Sequence, residues 1–150
     1  MTRKKHEQFM KRAILLAKRA EGKTFPNPVV GAVVVKKGRI TGEGYHKKAG
    51  TAHAEIIALR RAGKNAKAAE LYITLEPCSH YGKTPPCVDA ILKSGVKKVY
   101  VAMKDPNPLV NGRGLRTLRK NGIKAESGIC RREARGLNPI YIKSVKKKKR

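Results

Sequence analysis

The sequence predicts an α/β protein of three layers, with a five-stranded mixed sheet and helices on both faces. Three observations carry that prediction. Residues 29–35 form a near-continuous apolar, β-branched run, and Lys36-Lys37-Gly38 then turns the chain into a second strand, which is a hairpin signal. Largely apolar stretches at 71–75 and 98–103, and a shorter strand at 123–126, alternate with helical stretches, the pattern of strands joined by crossovers. Right-handed crossovers place those three strands parallel, beside the antiparallel hairpin.

The elements follow in order. Residues 5–20 read as a helix, because Phe9, Ala13, Leu16, Ala17 and Ala20 recur at helical spacing and Gly22 is a stop signal. Residues 24–28 are a proline-rich loop, 29–35 a buried strand and 39–45 its hairpin partner. Thr51 is expected to cap a helix over 52–63. His53 and Glu55 then sit in its first turn, where backbone N–H groups point outward. Residues 71–75 form the third strand. Pro86 suits the first position of a helix that runs to Ser94. This puts Cys87 at a helix N-terminus, where the dipole favours thiolate. The fourth strand is 98–103, a helix over 114–120 ends at Asn121-Gly122, the fifth strand is 123–126, and a final helix spans about 130–137. Both helices with chemistry at their starts begin at the carboxyl ends of strands, where ligand sites of α/β proteins form.

That chemistry is specific. His53-Ala54-Glu55 is followed, past a strand, by Thr74-Leu75-Glu76-Pro77-Cys78 and then Pro85-Pro86-Cys87. One imidazole and two thiols suffice to hold zinc and leave a fourth tetrahedral position for water. The metal brings that water's pKa to about 7, and Glu55, two residues from His53, can move its protons. His-x-Glu followed by Pro-Cys-x-x-Cys is the zinc deaminase pattern. This chain keeps the first half, but residues 79–86 separate its cysteines. That segment would lie against the metal and brings His80 and Lys83, groups suited to an anionic substrate. Glu76 reads as structural support. Cys130 has no ligand partner near it in sequence and reads as an ordinary thiol.

Residues 74–87 resemble the zinc loop of the riboflavin-biosynthesis pyrimidine deaminases. Pro26-Asn27-Pro28, Gly44-Tyr45-His46, His53-Ala54-Glu55 and Asp105-Pro106-Asn107-Pro108 match the same family in the same order, and the resemblance runs from about residue 7 to 140. It implies a cytidine-deaminase-like fold, Zn2+ held by His53, Cys78 and Cys87, and Glu55 as general acid and base. It implies substrate contacts from Asn27, His46, Ala54, His80, Lys83, Asp105 and Asn107. The implied substrate is diaminohydroxy-ribosylaminopyrimidine 5′-phosphate, and the products are the amino-ribosylaminouracil phosphate and ammonia. Family members usually form the N-terminal half of a deaminase/reductase. The expectation here is a deaminase domain over 1–145 without the reductase, either as a stand-alone deaminase or as a fragment of the longer protein, with a separate reductase as one possible partner. A homo-oligomer is also expected.

Composition narrows the setting. A chain of 150 residues is long enough for one domain with a real core. No segment approaches the ~20 apolar residues of a membrane span, and residues 13–17 are too short for a signal-peptide core. Of three cysteines two are expected ligands, which argues against a disulfide framework and for a reducing cytoplasm. The net charge of +26 attracts nucleotides, phosphates and nucleic acids, so non-specific nucleic-acid binding is expected through the basic surface. Residues 146–150 are expected to be a solvated, disordered basic tail.

Two other readings stay open at this point. A nucleic-acid-editing deaminase fits the basic surface, but such enzymes use Cys-x-x-Cys, and two Phe, five Tyr and no Trp make a poor stacking surface. A zinc-stabilised, non-enzymatic nucleic-acid-binding module would need neither Glu55 nor an open coordination position.

Overall fold

A computed structural model of the chain describes residues 2–78 and 87–147, the last by its backbone. The elements are α1 (Arg3–Lys18), β1 (Gly31–Lys36), β2 (Arg39–Tyr45), α2 (Ala54–Ala62), β3 (Glu70–Ile73), α3 (Cys87–Ser94), β4 (Lys98–Val101), α4 (Arg113–Lys120), β5 (Lys124–Ser127), α5 (Arg131–Arg135) and α6 (Pro139–Lys147). A 3-10 turn, Gly63–Ala66, follows α2. The sheet order is β2-β1-β3-β4-β5. β1 pairs antiparallel with both β2 and β3, whereas β3, β4 and β5 run parallel, as the crossover rule requires.

The strands that are apolar throughout are buried on both faces. Val33, Val35, Tyr72 and Tyr100 join one core with Phe9, Met10 and Ala13 of α1, Ala134 of α5 and Ile142 of α6. Ala32, Val34, Leu71, Ile73, Val99 and Val101 join the other with Ala58 of α2, Val88 and Ile91 of α3, and Leu115 and Leu118 of α4. The period of two along each strand therefore produces three layers.

Small residues set how closely the helices approach. A Cβ on Gly31 would run into the backbone carbonyl of Ala13 in α1. Cβ atoms on Gly42 and Gly44 would meet the backbone of α2 at Ala58 and Ala54. The glycines thus press α2 onto the hairpin and place its first turn at the sheet's end. Gly31→Val is expected to lower unfolding free energy by at least about 1–3 kcal/mol, the usual cost of overpacking, because backbone rather than a flexible side chain must move. Urea denaturation measures this, and a loss well under 1 kcal/mol would contradict the close approach.

Three expectations need correction. Thr51 does not cap α2. Its hydroxyl donates to the Lys48 carbonyl at 2.7 Å and accepts from the Lys48 N–H at 3.4 Å, closing a local turn, and His53 takes the N-cap position in extended conformation. A hydroxyl bonds the nearest backbone groups it can reach, and here those lie before the helix. Second, the chain does not end its regular structure near 137. The last predicted helix corresponds to α5, and an unpredicted helix, α6, follows it from Pro139. Proline is favourable at a first helical position because that N–H has no helical partner. Third, α6 runs through Lys146 and Lys147, so the start of the expected basic tail is helical. Among the described residues no helix is long and apolar enough to cross a membrane.

Candidate active site

His53 leads into α2, Cys78 follows β3 by way of Leu75-Glu76-Pro77, and Cys87 is the first residue of α3. Residues far apart in sequence thus converge at the carboxyl end of β3. The side-chain donor atoms of His53, Cys78 and Cys87 all lie within 4.8 Å of one another. His53 Nδ1 is 3.0 Å from Cys87 Sγ, and the Cys87 backbone N–H donates to Cys78 Sγ at 3.3 Å. Tetrahedral zinc, with Zn–N near 2.0 Å and Zn–S near 2.3 Å, needs such donors about 3.5–3.8 Å apart. One imidazole and two unbridged thiols at this spacing fit it. The side-chain hydrogen bond between the two thiols lowers the Cys78 pKa to about 4 and raises that of Cys87. The pair therefore supplies a thiolate, the form that ligates metal.

Glu55 lies in the first turn of α2 and is only 3% exposed. Its Oε1 is 3.9 Å from His53 Nδ1. Burial pushes its pKa upward, which brings a carboxyl closer to the range where it both takes and gives protons. A cavity of about 320 Å3 opens over these groups, and Asn27, His46, His53, Glu55, Cys78, Asp105 and Asn107 all line it.

The cavity wall is built by polar clamps. His46 Nδ1 faces the Ala52 carbonyl at 3.2 Å. A carbonyl only accepts, so that nitrogen carries the proton and Nε2 accepts from the Asn27 amide at 3.2 Å. Burial lowers the His46 pKa, which favours this neutral form. Asn27 is held at both ends of its backbone by Thr24, at 2.7 Å each. The next turn of chain is held by Asn138, whose side chain accepts from the Val29 N–H and donates to the Val29 carbonyl.

Glu76 has the supporting role its position suggested. Its two oxygens accept from the backbone N–H groups of Asp105 (3.0 Å), Gly112 (2.9 Å) and Leu115 (3.1 Å). It thereby ties the loop after β4 and the start of α4 to the segment that carries Cys78. Asp105 accepts from the Asn107 N–H at 3.0 Å, and Asn107 accepts from the Leu109 N–H at 3.0 Å. Burial raises the Asp105 pKa. Ala54 differs from the other expected contacts: its side chain is fully buried in the α2 core, so it could offer a ligand only backbone. His80 and Lys83 lie outside the described residues.

Sequence reasoning missed Tyr141. It comes from α6, lines the cavity, and donates to the Asp105 carboxylate at 2.8 Å. The only sequence signal was an aromatic residue two positions after Pro139, in a segment not predicted as helix. Tyr141→Phe should cost about 1.5–3 kcal/mol of stability, the usual range for a hydrogen bond to a charged group. Chemical denaturation tests this, and no change would show that the Asp105 loop is held without Tyr141.

Comparison with known proteins agrees with this geometry. Residues 3–103 match the cytidine and deoxycytidylate deaminase zinc-binding region. Over 142 residues the chain is 56% identical to the riboflavin biosynthesis protein RibD of Aquifex aeolicus, covering 95% of this chain and 40% of that protein. It is 51% identical to a diaminohydroxyphosphoribosylamino-pyrimidine deaminase of Buchnera aphidicola, over 92% of this chain and 94% of that protein. The crystal structure of a diaminohydroxyphosphoribosylaminopyrimidine deaminase/5-amino-6-(5-phosphoribosylamino)uracil reductase from Thermotoga maritima superposes with a TM-score of 0.91 at 47% identity, over 97% of this chain and 42% of that one. The chain thus spans about 40% of the length of the RibD relative. Fold and donor set together define a zinc-binding deaminase domain of the cytidine-deaminase type. Within that class, the chain belongs to the family of riboflavin-biosynthesis pyrimidine deaminases.

Proposed function

We propose that this chain hydrolytically deaminates 2,5-diamino-6-ribosylamino-4(3H)-pyrimidinone 5′-phosphate to 5-amino-6-ribosylaminouracil 5′-phosphate and ammonia. The observation that carries the reaction class is a buried Glu55 beside His53 on the cavity wall, where the donor atoms of His53, Cys78 and Cys87 cluster. The identity to the Buchnera aphidicola enzyme along nearly its full length supports the substrate.

His53, Cys78 and Cys87 would hold the zinc. When bound, zinc supplies a Lewis acid that makes water nucleophilic at neutral pH. Glu55 takes one proton from the attacking water and delivers it to the adjacent ring nitrogen. The water oxygen bonds to the amino-bearing ring carbon. Glu55 then moves a proton to the departing amine, the C–N bond breaks, ammonia leaves, and a carbonyl remains. Asn27, oriented by His46, and Asn107, oriented by the Asp105 loop, offer amide groups to the polar edges of the substrate. His80 and Lys83 would take its anionic part.

In the same reading the chain acts in the cytoplasm as a homo-oligomer. The uracil product passes to a reductase, either fused beyond this segment or on a separate protein. Nucleic acid would bind its basic surface only non-specifically. Ammonia release from the pyrimidine phosphate, its dephosphorylated analogue, dCMP, and RNA and DNA oligomers tests the substrate. The pyrimidine phosphate should be turned over fastest, and preferential deamination of an oligomer would assign the chain to nucleic-acid editing instead. Lys83→Ala should lower kcat/KM on the phosphate by about 10- to 150-fold, the value of a charge-assisted hydrogen bond, and much less on the dephosphorylated analogue. Equal losses would remove Lys83 from the phosphate.

A further inference from the structure

A second cavity, of about 370 Å3, lies behind the loop that follows β4. It shares no lining residue with the first. Alternate residues of one loop divide between them: Asp105 and Asn107 line the first, Lys104 and Pro106 the second. The second is strongly basic. Lys104 after β4, Arg131 and Arg135 of α5, and Lys146 of α6 line it together with Ser127 at the end of β5, and no Asp or Glu does. Ion pairs among the described residues are Arg12–Glu43 and His53–Glu55, so none of these four cations is neutralised by a carboxylate there.

Three physical points say what such a site takes. Arg131 and Arg135 are four apart on one short helix, so they share a face and repel each other. Four converging cations gain from a single multiply charged anion that bridges them. Guanidinium forks match phosphate oxygens in geometry, and the volume falls in the usual range for small-molecule sites, about 300–1,000 Å3. No aromatic residue lines the cavity, so bases would have no stacking partner. The position, at the carboxyl ends of the parallel strands β4 and β5, is one where α/β proteins place ligands.

We propose that this second cavity is a binding site for a compact oligophosphate anion of the pyrophosphate type, separate from the deaminase pocket. Lys104, Arg131, Arg135 and Lys146 each contribute charge, and the Ser127 hydroxyl contributes a donor. Because the chain carries +26 overall, the test must separate a built site from a diffuse field. Pyrophosphate is titrated calorimetrically into the zinc-loaded 150-residue protein at physiological salt. The wild type is compared with Arg131→Gln/Arg135→Gln and with a charge-matched control, Lys93→Gln/Lys120→Gln, on the opposite helical layer. The expected result is saturable one-to-one binding, weakened about tenfold or more by the arginine pair and less than about twofold by the control, since a field is screened within about 8 Å. Backbone amide NMR on the wild type gives an independent readout, with shifts expected at Ser127, Gly128 and Lys146. Equal weakening by both pairs, non-saturable binding, or shifts confined to the first cavity would overturn the proposal. So would an RNA oligomer that binds more tightly than pyrophosphate with the same arginine dependence, because the site would then belong to nucleic acid.

Discussion

Glu55→Gln is expected to lower turnover by about 10²–10⁴-fold, the usual contribution of general acid–base catalysis, while the protein keeps its fold and its zinc. Glu55 is 3% exposed, with Oε1 3.9 Å from His53 Nδ1, and it lines the cavity beside the three donors, so its carboxylate is the acid–base group placed at the reacting centre. Gln fills the same volume, and a neutral amide tolerates burial better than a carboxylate does. It cannot take up the proton that the water gives. The loss should therefore appear in kcat and kcat/KM together, with zinc content unchanged. More than about a tenth of wild-type activity in the variant would mean that another group carries the proton. A loss of zinc would mean that Glu55 supports the ligands instead.

Cys87→Ala should have the other large effect, on metal and stability together. Cys87 is buried at the start of α3 and contacts both other donors. Removing it leaves two ligands for an ion that requires more. Zinc content should fall from about one per chain to a small fraction of that. A ligand that binds only the folded state contributes RT ln(1 + [L]/Kd), or about 4 kcal/mol when free zinc is a thousandfold above Kd. The variant should lose that increment, and chelation should remove it from the wild type and leave the variant unmoved. An equal response of both proteins to chelator would place the zinc elsewhere.

Much of this was legible in the sequence, for physical reasons that differ by element. β1, β3 and β4 are buried on both faces, so they read as unbroken apolar runs and were located to within a few residues. The metal donors were legible because His, Cys and Cys beside a carboxylate have few structural uses in common. Their spacing set them on two helix starts and one strand end that the topology brings together. What was not legible depends on tertiary partners. Thr51 had the chemistry of a helix cap, but Lys48 offered its hydroxyl a nearer partner. α6 was hidden because Pro139 and the following basic residues resemble a chain end, and its stability comes from Ile142 packing into the α1 core. Tyr141 and Asn138 were missed with it, although they hold Asp105 and Val29 at the wall of the active site. No local pattern announces a contact made across more than a hundred residues, as between Asn138 and Val29.

The central claim is that this chain replaces an amino group with oxygen from water. The most direct test is a reaction of the zinc-loaded protein with the diaminopyrimidinone ribosyl phosphate in heavy-oxygen water, with product mass and ammonia both measured. The account predicts one ammonia released per uracil formed, with the new carbonyl oxygen drawn from solvent. No ammonia, or a product whose new oxygen does not come from solvent, would contradict it.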